Sequence, residues 1–439
     1  MMKLKYLLPL ILLTLGACNL EEGEQVALQS SNNSNNTNDI PVLSTNNFNP
    51  EPIIIDIEKL PEPFETNSVS APAKILPIPS ERVFNVPEGF EVNVYAEGIN
   101  NPRWLHLTPE GDVLVTETRD NRITRLQDTN NDGVADQKSV FADSGNGLDI
   151  PFGMAFTDDY FFLGNHNGVR RYGYTNGQNQ LEGQGELIAL LPGGGYNQHW
   201  TRNVMVSPTE DKLYVSIGSR SNNDVEELPR ASIQTMDFDG DNQETFASGL
   251  RNPVGLDFHP LTNRLYTTVN ERDGLGDNLV PDYFTSVQEG GFYGWPYSYF
   301  TPELLDPRHT DNSGESINPD LVSRTIMPEV LIQSHSAALG MAFYDGDTFP
   351  EKYQNGAFVA FRGSWNRREA TGYKLAFIPF DENNEPRGYY EDFLTGFLTD
   401  SSNPSTWGRP VGVLVLDDGS LLFTEEANDV IYRVQYVGK

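Results

Sequence analysis

The sequence predicts an all-β fold, a six-bladed β-propeller of four-stranded antiparallel blades, and three observations predict it. One hairpin signature recurs six times after Phe84, its spacing is close to or above the period of one blade, and each copy is followed by a polar turn and a β-rich strand. The copies are Asn101-Pro102-Arg103-Trp104-Leu105-His106-Leu107, Ile150-Pro151-Phe152-Gly153-Met154-Ala155-Phe156, Trp200-Thr201-Arg202-Asn203-Val204-Met205-Val206, Asn252-Pro253-Val254-Gly255-Leu256-Asp257-Phe258, Ala337-Ala338-Leu339-Gly340-Met341-Ala342-Phe343 and Arg409-Pro410-Val411-Gly412-Val413-Leu414-Val415. Aligned positions 102, 151, 201, 253, 338 and 410 lie 49, 50, 52, 85 and 72 residues apart. Turns such as Pro109-Glu110-Gly111 and Asp417-Asp418-Gly419 then lead into runs such as Val113-Leu114-Val115, so each unit opens with a hairpin. A continuous sandwich is the alternative, but it gives no reason for six copies of one signature. The two long intervals imply insertions, one carrying Asp273 to Asp320.

Composition narrows the function. Thirty Lys+Arg against 62 Asp+Glu give a formal charge of −32, a field that repels a phosphate backbone and argues against nucleic acid as a partner. Twenty-four Phe and 19 Tyr supply a large core, and past residue 17 no apolar run approaches the length of a membrane span.

The first residues divide into a signal and a tether. Lys3 and Lys5, the apolar run Leu7 to Leu15, and Leu15-Gly16-Ala17-Cys18 read as a secretory signal over residues 1–17 ending in a sequence that resembles a bacterial lipobox. Cys18 is the chain's single cysteine, so no intrachain disulfide forms, and its position implies lipidation. The expected location is the bacterial cell envelope, with membrane contact only through the lipid anchor; Asn19 favours the outer membrane if the host is Gram-negative. Residues 18–80, first Asn/Ser-rich and then Pro-rich, read as a disordered tether, in which Ile53-Ile54-Ile55 alone suggests a short strand laid on the domain. The propeller is expected over 81–439.

In an antiparallel hairpin, the start of the first strand and the end of the second lie together, so the residues flanking all six hairpins converge on one channel mouth. Before the first strands stand Asn100, Asn101, Asp149, His199, Trp200, Arg251, Asn252, His335, Ser336 and Arg409. After the second stand Glu117, Arg119, Asn165, His166, Arg220, Asn270, Glu271, Arg362 and Glu425. Arginines beside a histidine base suit an anionic ligand, although arginines at strand ends are often only solvated or paired with carboxylates. His199 stands out, because Gly193-Gly194-Gly195 before it permits close backbone approach and Trp200 follows it.

A second constellation runs from Asp128 to Asp136. Asp128, Asn130, Asp132 and Asp136 place oxygen ligands at alternate positions around Gly133, which resembles a structural calcium loop. The twelfth position is Ser139 rather than an acid, and an Asx-rich turn is an equal reading.

With these residues in view, the chain resembles the glucose/sorbosone dehydrogenase family, the soluble pyrroloquinoline quinone (PQQ) dependent sugar dehydrogenases built on a six-bladed propeller. Gly249-Leu250-Arg251-Asn252-Pro253-Val254-Gly255-Leu256, Asn270-Glu271-Arg272-Asp273 and Gly290-Gly291-Phe292-Tyr293-Gly294-Trp295-Pro296 carry the resemblance. Gln198-His199-Trp200-Thr201-Arg202-Asn203 and Arg362-Gly363-Ser364-Trp365-Asn366-Arg367 are closer to its sorbosone branch. The resemblance implies PQQ and Ca2+ as cofactors, with Arg251, Asn252, Arg409 and either Arg362 or Arg367 on PQQ and His199 as general base. It also implies catalytic Ca2+ on the backbone carbonyls of Asp273 and Gly274, Ca2+ acting as Lewis acid. Trp200, Trp295 and Trp365 are candidates to stack on a sugar ring, or equally for packing. The implied reaction is hydride transfer from an aldose or sorbosone-like aldehyde to the quinone, with electrons passing on to an unidentified acceptor. Two other classes remain open: a propeller lactonase or hydrolase with calcium in the channel, and a non-catalytic binding module.

Overall fold

A computed structural model describes residues 41–193 and 199–438. The signal, Cys18 and the first part of the tether lie outside the described residues, as do Gly194, Gly195 and Gln198.

The arrangement is that of a β-propeller. Among the described residues, six sheets each carry four antiparallel strands, in sequence order from one edge to the other in five of them, and one of the five gains a short fifth strand. Their first strands are Pro102–Leu107, Met154–Phe156, Val204–Val206, Pro253–Phe258, Ala338–Phe343 and Pro410–Val415, all within or beside the six signatures. The last sheet takes Phe90–Glu97 as its outer strand, paired from Val430↔Glu97 to Tyr436↔Phe90, so the two ends of the domain share one sheet.

The signature has a steric cause. Its fourth residue is glycine in four copies, and a Cβ there would collide with the next sheet's backbone: 2.4 Å from Val204 N at Gly153, 2.4 Å from Leu339 O at Gly255, 2.3 Å from Val411 O at Gly340 and 2.3 Å from Arg103 O at Gly412. The last contact joins the sixth sheet to the first. In the third copy Asn203 replaces glycine and donates from Nδ2 to Val254 O (3.0 Å), making the same junction polar. Register shifts follow the prolines at Pro102, Pro253 and Pro410, and Ala338 in the fifth sheet. Proline has no N–H for the ladder, and the irregularity re-aims the third signature residue.

Apolar faces of neighbouring sheets form the core. One cluster joins Phe162, Val169 and Val204 to Leu213, Val215 and Met236; another joins Tyr266, Phe284 and Ile332 to Val359, Phe361 and Ile378.

Two expectations need correction. The stretch Asp273 to Asp320 is not one insertion, because Asp282–Ser286 inside it is the third strand of its sheet; the added chain falls between that strand and Val330–Ile332. The tether is not disordered from residue 41 onward. Ser44–Asn47 pairs in parallel with Val83–Val86, and Lys74–Ile75 pairs with Ser405–Thr406. Ile53 bridges Tyr390, as the Ile53-Ile54-Ile55 run suggested, and Ile55, Ile57 and Leu60 pack on a core cluster. A Pro-rich chain cannot build its own ladder, but it lies extended against a surface that supplies both hydrogen-bond partners and apolar cover.

Candidate active site

The hairpin ends do converge. His199, Arg251, Asn252, Arg362 and Arg409 line one cavity of about 610 Å³, together with Arg103, Arg119, Trp200, Asn270 and His335. Five arginines face it against three carboxylates, Glu271, Asp273 and Asp282, in a protein whose acids outnumber its bases twofold. Of the expected ring, Asn100, Asn101, Glu117, Asp149, Asn165, His166, Arg220, Ser336 and Glu425 do not line it.

His199 is buried, 4% exposed. Its Nδ1 lies 3.0 Å from Ser219 O and 2.9 Å from Ser219 Oγ, and that hydroxyl donates to Ser221 O at 2.6 Å. Both partners of Nδ1 therefore act as acceptors, which puts the proton on Nδ1 and the lone pair on Nε2. Burial first, then the Arg251 charge, hold the imidazole pKa well below its ordinary 6.5, so the ring is neutral at neutral pH. Arg202 fixes the backbone beneath, donating to His199 O (3.1 Å) and Thr201 O (2.7 Å). Gly218 lets the ring approach Asn252: a Cβ there would stand 2.4 Å from Asn252 Oδ1 and 3.0 Å from His199 Cβ.

Arg251 is 2% exposed, and its donors all have protein acceptors. Nε donates to Asn222 O (2.9 Å), one terminal nitrogen to Asn270 O (3.2 Å) and Glu271 O (2.7 Å), the other to Asn222 Oδ1 (2.9 Å) and Asp273 Oδ2 (3.3 Å). It acts as a clamp on the loops after two strands and as a source of positive potential at the cavity wall. Trp295 supports the clamp, donating from Nε1 to Asn222 O (3.0 Å), so it belongs to the packing.

Arg103, at the cavity wall, and Glu426, paired with it, were not singled out as site residues by the sequence. Glu426 lies under the cavity wall, accepts from Arg103 and Arg362, and takes a longer bond from Asn101 Nδ2 (3.3 Å). Although burial alone raises its pKa, Arg103, Arg362 and Arg409 outweigh this and hold the carboxyl far below its usual range. Arg103 also lies 5.1 Å over the Trp200 ring. The signal for Arg103 was partial: Phe152, Val254, Leu339 and Val411 occupy the same signature position in four copies, but Arg202 occupies it in the third. Glu426 had none, being joined to Arg103 across 323 residues.

Of Arg362 and Arg367, Arg362 lines the cavity. Arg367 lies outside the cavity lining, donating to Glu369 O (2.8 Å) and Asp277 O (2.6 Å).

The residues fit a polycarboxylate. Arg409 Nε and Thr201 Oγ1, both buried without a hydrogen-bond partner among the described residues, can donate to it, whereas the equally unpartnered Asn252 Oδ1 is an acceptor and needs a donor on the ligand; all three are on cavity-lining side chains. For calcium the residues implied are backbone carbonyls rather than a side-chain cluster; among the described residues no three His, Cys, Asp or Glu side chains are grouped to hold a metal. Asp273 O accepts from Asn222 Nδ2 (2.9 Å), its carboxylate faces Arg251 and His335, and Gly274 donates its N–H to Asn366 Oδ1 (2.9 Å) and does not line the cavity. In the other loop, Asp128 accepts from the N–H of Asp132 (3.0 Å) and Gly133 (2.6 Å), Asn130 from that of Asp132, and Asp136 from Thr129: a set of Asx turns closed on itself.

The chain belongs to the TrAA12-like family, whose model matches residues 84–289 and 306–437; the Glucose / Sorbosone dehydrogenase model matches residues 231–364. The resemblance carried by the Arg251 and Trp295 motifs is thereby borne out. An uncharacterized protein of Borreliella burgdorferi is 29% identical over 80% of this chain and 90% of its own length. A pyrroloquinoline quinone-dependent pyranose dehydrogenase of Coprinopsis cinerea is 27% identical over 77% of this chain, which spans about half (52%) of that enzyme. The holo PQQ domain of pyranose dehydrogenase from the same fungus matches with a TM-score of 0.66 at 20% identity, over 82% of this chain and 98% of that one. A Trichoderma reesei AA12 enzyme matches with a TM-score of 0.68 at 18% identity, over 84% and 100%. At these identities the structural likeness is one of fold.

Proposed function

We propose that the protein is a PQQ-dependent dehydrogenase of an aldose or sorbosone-like sugar aldehyde, working on a six-bladed propeller. The observation that carries this reading is the meeting, in one cavity, of five arginines with a neutral, tautomer-fixed His199. A tricarboxylate needs planar, charge-assisted donors, which Arg362, Arg409 and Arg103 provide, with Asn252 and Thr201 for its remaining polar atoms. When bound, PQQ supplies a quinone that accepts a hydride from the substrate carbon.

The chain's own part is acid–base and positional. Nε2 of His199 takes the hydroxyl proton of a hemiacetal or hydrated aldehyde as the hydride leaves the same carbon, giving the lactone or acid. Ser219 O, hydrogen-bonded to Nδ1–H, stabilises the imidazolium formed in that step and keeps the ring oriented. Trp200 and Trp365 line the cavity and offer apolar faces to the sugar. Electrons then pass to an acceptor outside the cavity. Leu15-Gly16-Ala17-Cys18 supports a lipid-anchored place in the cell envelope, which fractionation of cells making Cys18→Ser tests.

His199→Ala tests the reaction. The expected result is PQQ affinity within about threefold of wild type with sugar-dependent dye reduction lowered about 100- to 10,000-fold; turnover equal to wild type would overturn the assignment.

A further inference from the structure

The family model begins at residue 84, yet chain before that point reaches the cavity: Ser70 and Pro72, both exposed at its rim, are lining residues. They stand in a strap tied to two cavity loops. Phe64 N–H donates to Leu275 O (2.8 Å), and Thr66 Oγ1 accepts from Asp277 N–H (2.7 Å). Gly276 has φ +125°, and a Cβ there would lie 2.8 Å from Thr66 Oγ1 and 3.0 Å from Thr66 O, so the loop backbone lies directly against the strap. On the other side, Asn366 Nδ2 donates to Ser68 Oγ (3.0 Å) and Val69 O (2.5 Å), while Ala71 N–H donates to Trp365 O (2.7 Å). Asn366 Oδ1 meanwhile accepts from Gly274 N–H, so one side chain joins both loops to the strap.

We infer that this strap, residues 64–72, is the specificity-determining wall on the substrate side of the cavity, admitting a single sugar ring and turning away chain-extended saccharides at the rim; the inference rests on the dehydrogenase reading. Space sets the limit. A cavity of about 610 Å³ is of the size that ordinarily holds one small ligand, and here it must hold a tricyclic cofactor as well as the substrate. Chemistry at the rim suits a sugar: the Pro72 ring and the Trp365 indole are apolar faces, and the Ser70 hydroxyl is a donor and acceptor beside them. Gly276 O also accepts from His335 Nε2 (3.0 Å), so the loop that the strap pins is continuous with the cavity wall.

The test uses the full chain with two variants outside the cofactor-binding and proton-transfer machinery. Ser70→Trp adds bulk at the exposed rim, and Thr66→Val removes the acceptor that holds Asp277. PQQ binding is followed by absorbance, folding by thermal melt, and kcat/KM is measured for glucose and for cellobiose. Thr66→Val is expected to raise the cellobiose-to-glucose ratio of kcat/KM at least fivefold. Ser70→Trp is expected to lower kcat/KM for glucose at least tenfold, with PQQ affinity within twofold of wild type in both. Normal PQQ binding and glucose oxidation with an unmoved ratio in Thr66→Val and unmoved glucose kcat/KM in Ser70→Trp would overturn the wall alone. Failure of the wild type to bind PQQ or oxidise either sugar would overturn the dehydrogenase reading and the wall with it.

Discussion

Replacing Glu426 with Gln tests how the arginine cluster is held together. The Glu426 side chain is 5% exposed and ion-paired with Arg103 and Arg362, whose own side chains are 7% and 29% exposed. At an effective dielectric of about 20, a pair 4 Å apart is worth about 4 kcal/mol, and removing one partner of a buried pair typically costs about 3–5 kcal/mol, because the charge left behind is uncompensated. Ile40–Lys439 unfolds with an entropy of about 2.1 cal/mol/K per residue, about 0.8 kcal/mol/K in all, so the melting temperature should fall by about 4–6 °C. A polycarboxylate in the cavity restores negative charge to the same guanidiniums, so saturating PQQ should recover most of the loss. The assay is a fluorescence-monitored melt at pH 7 with and without PQQ. A variant melting within 1 °C of wild type, or gaining no more from PQQ than wild type does, would refute the reasoning. The carboxyl is held below its ordinary 4.5, so its contribution is present above that value and lost as pH falls through the lower folded value.

Three further outcomes follow from the same geometry. Arg409→Gln removes a cavity guanidinium whose Nε lacks a partner among the described residues, and should weaken PQQ binding about 10- to 150-fold in an absorbance titration, the worth of one charged hydrogen bond. Because the folded His199 pKa is far below 6.5, kcat/KM should stay level from pH 8 down through 6.5 and fall only below it; the same group is neutral in the fold and charged in the unfolded chain under pH 6.5, so it subtracts stability as pH drops past that value. Gly412→Ala places a methyl 2.3 Å from Arg103 O at the junction of the last and first sheets, and urea unfolding should show a loss of about 1–3 kcal/mol or more.

What the sequence showed and what it hid divide along a physical line. The six sheets were legible because one local steric problem, bringing inner strands together, is solved at five of the six junctions by glycine or by Asn203, and a repeated solution leaves a repeated signature. The cavity followed, since hairpin ends meet at one mouth. The clamp role of Arg251 was hidden because its acceptors at Asn222, Asn270 and Glu271 are set by loop paths that no periodicity records. Glu426 was hidden because only ring closure brings it to Arg103. The strap was misread because Pro-rich chain looks alike whether it floats in water or lies against a surface that satisfies it; the decisive partners, Leu275, Asp277 and Trp365, are remote in sequence.

The most direct test of the central claim is titration of the purified chain with PQQ, followed by addition of an aldose and a dye acceptor. The account predicts saturable binding of one PQQ per chain, weakened by salt as an arginine-held polycarboxylate should be, and dye reduction that requires both PQQ and sugar. No binding at saturating PQQ, with or without added calcium, would contradict it.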